Sequence, residues 1–337
     1  MRAVIIGVGR MGRRHIQAVR QVGLELVGIC DSLQTSLDLA LIEQGVPREL
    51  HFQNPDRLLK ETKPECVVIA TTAPSHCPLT CLAAESGVKY ILCEKPMATS
   101  LADCDRMISA CASSGAKLAI NHQMRFMEQF VLPKRLLASE EFQGLRSMTL
   151  IAGNFGFAMN GTHYIEAFRF ISDEFPYEVT AWIDPEKVPN PRGAEFEDLS
   201  GSMRVTTLNG KRFYLEAGAD QGHGLKTMYA GKFGQIVVDE LEGSVHTIVR
   251  NAEHRDLPAT RYAMPHTSNS YSIAPVEAVT PTVAVLNSLL AGNNYPDGFI
   301  GRQAVAVQVA AYISDKHGHI PIVVDDRLPS DLSFPWA

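Results

Sequence analysis

The sequence contains no apolar run that approaches the roughly 18 residues needed to cross a bilayer, so we expect no membrane span. It also has no excess of positive charge: 31 lysines and arginines stand against 37 aspartates and glutamates, for a net charge of -6. That balance argues against a general nucleic-acid binder. The first predicted strand begins at Arg2, which leaves no room for a secretory leader and predicts a cytoplasmic protein.

A C-x-x-C motif is absent, and the seven cysteines are an odd number confined to positions 30–111. This usage is typical of reduced thiols in the cytosol rather than of a disulfide framework. His76, Cys77 and Cys81 lie close in sequence, but no second cluster with zinc spacing accompanies them. We therefore expect no metal site.

Apolar runs alternate with helical patterns over the first 122 of the 337 residues. The predicted strands are AVIIG, LELVGICD, ECVVIATT, VKYILCEKP and AKLAINH. Continuous apolar strands separated by helices indicate a parallel sheet that is covered on both faces. We assign a domain built on this sheet to residues 1–122 and a second α/β domain to residues 123–337.

The pattern of the second domain is different. Helices are predicted over 128–138 and 161–171, and six strand-like runs follow with hairpin turns at 209–210 and 231–234. These runs predict a mostly antiparallel sheet. We expect a long loop over 252–275 and two closing helices at 276–290 and 302–316.

The stretch VIIGVGRMGRRHI places Gly7, Gly9 and Gly12 in the pattern G-x-G-x-x-G between a strand and a helix. Such a turn lets backbone approach a pyrophosphate, which the helix N-terminus then binds. Arg10 and Met11 lie within the turn, and Arg10 offers additional positive charge. Asp31 ends the second strand, where a carboxylate binds ribose hydroxyls and repels a 2′-phosphate. The sequence therefore predicts NAD rather than NADP as the cofactor.

Three further segments extend this pattern. ILCEKPMATS contains Glu94, Lys95 and Pro96 at a strand end, ATTAPSHCPLTC contains Thr71 and His76, and INHQMRF ends the fifth strand. With the glycine turn and the late segment YPDGFIGRQAVAVQ, they resemble the Gfo/Idh/MocA family, the group of glucose–fructose oxidoreductase and inositol dehydrogenase. The resemblance implies a Rossmann domain followed by an α/β domain whose open, largely antiparallel sheet often mediates oligomerisation, hence a homodimer or homotetramer.

By this resemblance, the protein transfers hydride between a nicotinamide and a hydroxyl-bearing carbon of a sugar, nucleotide sugar or cyclitol. Lys95 would lie beside the nicotinamide and the reacting oxygen, followed by Pro96, in the family often with a cis bond. A partly desolvated lysine has a lowered pKa and serves as base or as donor. The positions expected to bind the cofactor are Gly7, Gly9, Arg10, Met11, Gly12, Asp31, Thr71, Thr72, His76, Glu94, Lys95, Pro96, Asn121 and Gln123.

A second catalytic segment is NFGFAMNGTHYIEAFRFI, which matches the family's D-x-G-x-H-x-x-D with Gly161, His163 and Glu166. His163 falls in the first helical turn, where the helix dipole favours a neutral ring able to accept a proton. Glu166 either orients that ring or caps the helix. The first aspartate of the motif is replaced by Met159, which cannot transfer a proton.

The expected substrate contacts are Arg125, Met159, Tyr164, Glu166 and His266. Arg125 either reaches a substrate anion or the nicotinamide surroundings, or forms an ion pair at the domain junction. Polar and aromatic residues of the late loop, with Arg261 and His266 among them, are hypothesised to contact a sugar.

The predicted function is therefore an NAD(H)-dependent oxidoreductase acting on a sugar-like secondary alcohol, with Lys95 and His163 as catalytic residues. Two alternatives stay open at this point. Met159 is compatible with a nicotinamide-binding regulatory protein that does not turn over. The same fold also supports a lyase or glycosidase that uses tightly held NAD in a redox-neutral cycle.

Overall fold

The computed structural model describes residues 1–153, 155–187, 189–222, 224–258, 264–275 and 277–336. They form two sheets. The elements of the first part are β1 (Arg2–Ile6), α1 (Arg10–Gln21), β2 (Glu25–Cys30), α2 (Gln34–Gln44), β3 (His51–Phe52), α3 (Pro55–Thr62), β4 (Cys66–Ile69), α4 (His76–Glu85), β5 (Tyr90–Cys93), α5 (Leu101–Ser114) and β6 (Lys117–Ile120).

The first sheet has the strand order β3-β2-β1-β4-β5-β6, and every pair is parallel. The five predicted strands correspond to β1, β2, β4, β5 and β6. The order reverses between β1 and β4, and ligands of such sheets bind at the carboxyl ends of the strands at this reversal. Each candidate cofactor segment follows one of these strand ends.

The remaining elements are α6 (Glu128–Leu137), β7 (Leu145–Ala152), α7 (Thr162–Ser172), β8 (Pro176–Ile183), β9 (Gly201–Thr207), β10 (Arg212–Ala217), β11 (Leu225–Gly231), β12 (Gly234–Asp239), β13 (Ser244–Arg250), β14 (His266–Ser272), α8 (Val279–Ala291), α9 (Gly298–Lys316) and β15 (Ile322–Val323). The second sheet has the order β14-β13-β12-β11-β7-β10-β9-β8-β15. All of its pairs are antiparallel except β7 with β10. The predicted open, mostly antiparallel sheet is confirmed.

Some predicted elements were wrong. The loop expected over 252–275 contains β14, all of whose residues are exposed, so it has no alternation of apolar and polar positions. The central strand β7 was not predicted, nor were β3 and α3. Helix α9 begins at Gly298 rather than at residue 302, because the Asp297 carboxylate accepts a hydrogen bond from the backbone N–H of Ile300 at 2.9 Å and caps the helix earlier.

Helix α8 crosses from the second part of the chain to the first sheet. Its Val285, Leu286 and Leu289 are buried in one cluster with Ala3 and Ile5 of β1. We keep the division at residue 122 as a proposal for the two sheets, with α8 completing the core of the first. Among the described residues, no helix combines the length and the apolar character that crossing a membrane requires.

Candidate active site

The glycine turn between β1 and α1 is shaped for close approach. Gly7 has a φ of 89°, and a Cβ there would lie 2.6 Å from the Ala70 carbonyl carbon at the end of β4. A Cβ on Gly12 would lie 1.9 Å from the Gly7 oxygen. A Cβ on Gly9 would meet nothing within 4 Å. The turn is therefore tight on its inner side and open at Gly9, where α1 begins without a side-chain cap and presents unpaired N–H groups.

Asp31 follows β2 beside this turn. Its Oδ2 accepts a hydrogen bond from the Val8 amide and its Oδ1 one from the Leu33 amide, both at 2.9 Å. The carboxylate is therefore held next to the glycine turn and stays partly exposed. Thr71 and Thr72 follow β4 and are partly exposed as well. These positions fit a dinucleotide that passes from the glycine turn toward β2.

A cleft of about 650 Å³ opens at the carboxyl end of the first sheet and faces α7. Seven of its lining residues belong to the predicted site: Arg10, Met11, Glu94, Lys95, Gln123, Met159 and His163. Met159 is the methionine in the aspartate position of the family motif. Sequence motifs that are far apart in the chain thus meet in one cleft.

Glu94 is the centre of a buried polar network. His15 Nε2 donates to its Oε1 at 2.7 Å, and Asn121 Nδ2 donates to the same oxygen at 2.8 Å. Asn121 also donates to Gln123 Oε1 at 2.5 Å. Burial alone would raise the pKa of Glu94, but the hydrogen bond and charge of His15, with Lys95 next to it, hold that pKa well below its usual range. Glu94 is therefore a carboxylate at neutral pH.

Lys95 follows Glu94 and precedes a cis peptide bond to Pro96. Its side chain enters the cleft, and Nζ donates to the Met159 carbonyl oxygen at 2.5 Å. Desolvation lowers the pKa of the Lys95 ammonium to about 8, although Glu94 opposes this shift. A substantial fraction of Lys95 is therefore neutral just above neutral pH and able to accept a proton.

His163 lines the cleft from the first turn of α7. Its ring lies edge-on to that of His122, with 5.7 Å between the centroids. Burial lowers the pKa of His163 well below its usual range, with help from Lys95. Among the described residues, its Nδ1 has no hydrogen-bond partner. A neutral imidazole with an uncommitted buried nitrogen is suited to bind a ligand or to accept a proton.

Two predicted cofactor residues are buried behind the cleft. His76 Nδ1 contacts the Pro96 carbonyl at 2.9 Å and Nε2 contacts that of Thr71 at 3.1 Å, which ties the end of β4 to the segment after Lys95. Asn121 is fully buried. Both residues support the cleft rather than line it.

Four expected substrate contacts lie away from the cleft. The buried Arg125 forms an ion pair with Glu166, which also pairs with Arg169 at 3.2 Å, so Glu166 does not orient His163. The Tyr164 hydroxyl donates to the Glu240 carboxylate at 2.9 Å. His266 is exposed on β14, at the far edge of the second sheet, and Arg261 lies outside the described residues.

His15 and Asp198 are among the residues beside the site that the sequence interpretation missed. His15 lies on the buried face of α1, four positions after Met11, and this helical spacing was a usable signal. Asp198 lies between β8 and β9, in a segment without periodicity. Its carboxylate accepts hydrogen bonds from the Ala158 and Met159 amides, both at 2.7 Å.

Comparison with known proteins finds relatives of this chain. Residues 1–122 match the Gfo/Idh/MocA family model, described as an oxidoreductase family with an NAD-binding Rossmann fold. The D-apiose dehydrogenase of Paraburkholderia graminis is 36% identical over 126 residues, which are 37% of this chain and 33% of that protein. The inositol 2-dehydrogenase of Rubrobacter xylanophilus is 28% identical over 258 residues, 72% of each chain.

Some of these relatives match this chain over less than half of their own length. The aligned part is 33% of the apiose dehydrogenase and 42% of the inositol 2-dehydrogenase of Salmonella paratyphi B. Solved structures match over nearly the whole length. An oxidoreductase from Agrobacterium radiobacter, in complex with NAD⁺, L-tartaric acid and magnesium, has a TM-score of 0.79 at 19% identity and covers 96% of this chain and 98% of its own.

Fold and cleft together define a two-domain protein whose first domain is of the dinucleotide-binding Rossmann class. Residues 1–122 match the Gfo/Idh/MocA model, so the resemblance seen in the sequence motifs is confirmed over this part of the chain.

Proposed function

We propose that the protein is an NAD(H)-dependent dehydrogenase that acts at a secondary alcohol or ketone of a sugar, nucleotide sugar or cyclitol. The observation that carries this proposal is the meeting of Lys95 and His163 in one cleft beside the glycine turn. The names of the relatives, an apiose dehydrogenase and inositol dehydrogenases, support the substrate class.

The residues present fit a dinucleotide. Gly7, Gly9 and Gly12 would receive the pyrophosphate, because the open space at Gly9 adjoins the unpaired N–H groups of α1. Asp31 would accept hydrogen bonds from the adenosine ribose, which favours NAD over NADP. When bound, the nicotinamide supplies the carbon that exchanges hydride with the substrate.

The protein's own residues handle the proton. Lys95, with a pKa near 8, accepts the hydroxyl proton in the oxidative direction and returns it in the reductive direction. The neutral His163 provides a second polar contact in the same cleft. Met159 carries no charge, but its carbonyl oxygen holds the Lys95 ammonium. In our proposal, the segment with Gly161 and His163 therefore functions although Met159 replaces the first aspartate of the family motif.

The test is reduction of NAD⁺ by a panel of pentoses, inositols and nucleotide sugars, with wild-type protein and Lys95→Met in parallel. We expect at least one compound to give NADH with the wild type, and a loss of about 10²–10⁴-fold in the variant. Lys60→Met is the matched control, since Lys60 is exposed on α3. Retained turnover in Lys95→Met would refute the assignment. Tightly held nucleotide with conversion of substrate but no net NADH would favour a redox-neutral cycle.

We also propose that the protein self-associates through the second sheet. Ile151, Trp182, Tyr214 and Met228 are between 38% and 53% exposed. In the strand register they lie on the same face, opposite the buried positions that α7 and α9 cover. Sedimentation of Trp182→Glu would yield a smaller species than the wild type.

We propose that the protein is cytoplasmic, and its seven unpaired cysteines support this location.

A further inference from the structure

We propose that Asp198 is a positioning residue of this active site, which holds the turn Phe157–Gly161 so that the Met159 carbonyl meets the Lys95 ammonium. Its carboxylate also contributes negative charge near the Lys95 ammonium. The inference rests on the proposed function, in which Lys95 handles the proton.

The contacts that support this role involve three consecutive amides. The backbone N–H groups of Ala158 and Met159 donate to the two oxygens of Asp198 at 2.7 Å, and that of Phe157 donates to the Leu199 carbonyl at 2.8 Å. The N–H groups at the start of a helical segment have no partner within the helix. Here Asp198 and Leu199, in the segment before β9, accept hydrogen bonds from these N–H groups. The Asp198 side chain is buried, with only 2% of the residue exposed.

The Gly156 backbone packs closely against the Asp198 carboxylate. A Cβ on Gly156 would lie 2.0 Å from Asp198 Oδ2, so the carboxylate packs directly against the backbone that leads into the turn. Neither partner can shift toward the other. The place of the Met159 carbonyl, 2.5 Å from Lys95 Nζ, is therefore set largely by Asp198.

The charges that face these two groups come from four elements. Glu94 precedes Lys95, Arg10 approaches from the glycine turn, and Arg192 shares the segment of Asp198. His163 faces Lys95 from α7. Burial raises the pKa of Asp198 to about 6, opposed by hydrogen bonds from the Ala158, Met159 and Leu199 amides and by the charge of Lys95. Above that pH the carboxylate stabilises the Lys95 ammonium, which burial, Arg192 and Arg10 destabilise.

The test measures the Lys95 pKa without any substrate. Competitive acetylation of the full-length protein, followed across pH by peptide mass spectrometry, gives a reactivity midpoint for each lysine. We expect a wild-type midpoint for Lys95 near 8. In Asp198→Asn it falls by roughly half to one unit, because both the charge and the placed carbonyl that favour the ammonium are lost. The exposed Lys60 is an internal reference.

Asp297→Asn is the matched control: it removes a carboxylate that caps a helix, α9, and it leaves the Lys95 midpoint unchanged. Gly156→Ala perturbs the same contact without removing the charge and lowers the midpoint as well; it decides the question if Asp198→Asn does not fold. An unchanged midpoint in the folded Asp198 variant, or in Gly156→Ala, overturns the proposal.

Turnover provides the second readout. Once a substrate is found, we expect Asp198→Asn to lower kcat about ten- to hundredfold, because small displacements of a catalytic group are costly, and to move the acid limb of the kcat profile to lower pH. A purely structural role would reduce the amount of active enzyme and leave that limb in place. If the wild type binds no NADH, the proposed function fails, whereas the acetylation result still decides the role of Asp198.

Discussion

Two alanine substitutions in one glycine turn are expected to differ in their effect on stability, although both weaken nucleotide binding. At Gly12 the added Cβ would lie 1.9 Å from the Gly7 oxygen, where real contacts are essentially never below 3.0 Å. Helix α1 and the turn would have to separate by about 1 Å, and overpacking of this kind costs about 1–3 kcal/mol. We therefore expect Gly12→Ala to lower the Tm, at roughly 2–4 °C per kcal/mol, and to weaken nucleotide binding.

At Gly9 the added Cβ would meet nothing within 4 Å, and its φ of −61° suits alanine. Gly9→Ala should keep the wild-type Tm or gain a few tenths of a kcal/mol in stability. The methyl group, however, projects into the space assigned to the pyrophosphate, so we expect at least about a tenfold loss of NADH affinity.

The assays are thermal unfolding followed by circular dichroism, without nucleotide, and titration with NADH followed by fluorescence. The pair separates folding from binding within one motif. Gly9→Ala that binds NADH as tightly as the wild type would refute the position assigned to the dinucleotide. Gly12→Ala with an unchanged Tm would show that the close contact at Gly7 does not constrain the helix.

Three further predictions address the ribose, the proton and the core. Asp31→Ser should weaken NADH binding about tenfold while narrowing the gap to NADPH, measured by parallel titrations; an equal loss for both nucleotides contradicts the ribose role. Wild-type kcat for alcohol oxidation should rise with pH through about 8, since only the neutral Lys95 amine accepts a proton, and a flat profile contradicts this. Arg125→Met should cost about 3 kcal/mol in urea unfolding because it leaves Glu166 buried and less well paired, with NADH affinity unchanged; a neutral effect would show that the pair does not stabilise the core.

The first sheet was predictable because its central strands are buried on both faces and appear as continuous apolar runs. β4, for example, is fully buried from Cys66 to Ile69. β3 pairs with β2 and has two residues, which are too few for a periodic signal. β14 is exposed along its whole length and pairs with β13 through its backbone. Neither strand leaves an apolar pattern in the sequence.

The site was predictable where it depends on strand ends. The glycine turn, Lys95 and Gln123 follow β1, β5 and β6, parallel strands of one sheet whose carboxyl ends lie at the same edge. The directions of side chains on α7 were not predictable, because they depend on buried partners far along the chain. Tyr164 contacts Glu240 in this way. Asp198 is 39 positions from Met159, and nothing local in its segment indicates that contact.

The most direct test of the central claim is a fluorescence titration of nucleotide-free wild-type protein with NADH and with NADPH. We predict saturable binding of both or of NADH alone, with NADH clearly the tighter ligand because of Asp31. Tighter binding of NADPH would contradict the role of that carboxylate. Binding of neither nucleotide would contradict the dehydrogenase account as a whole.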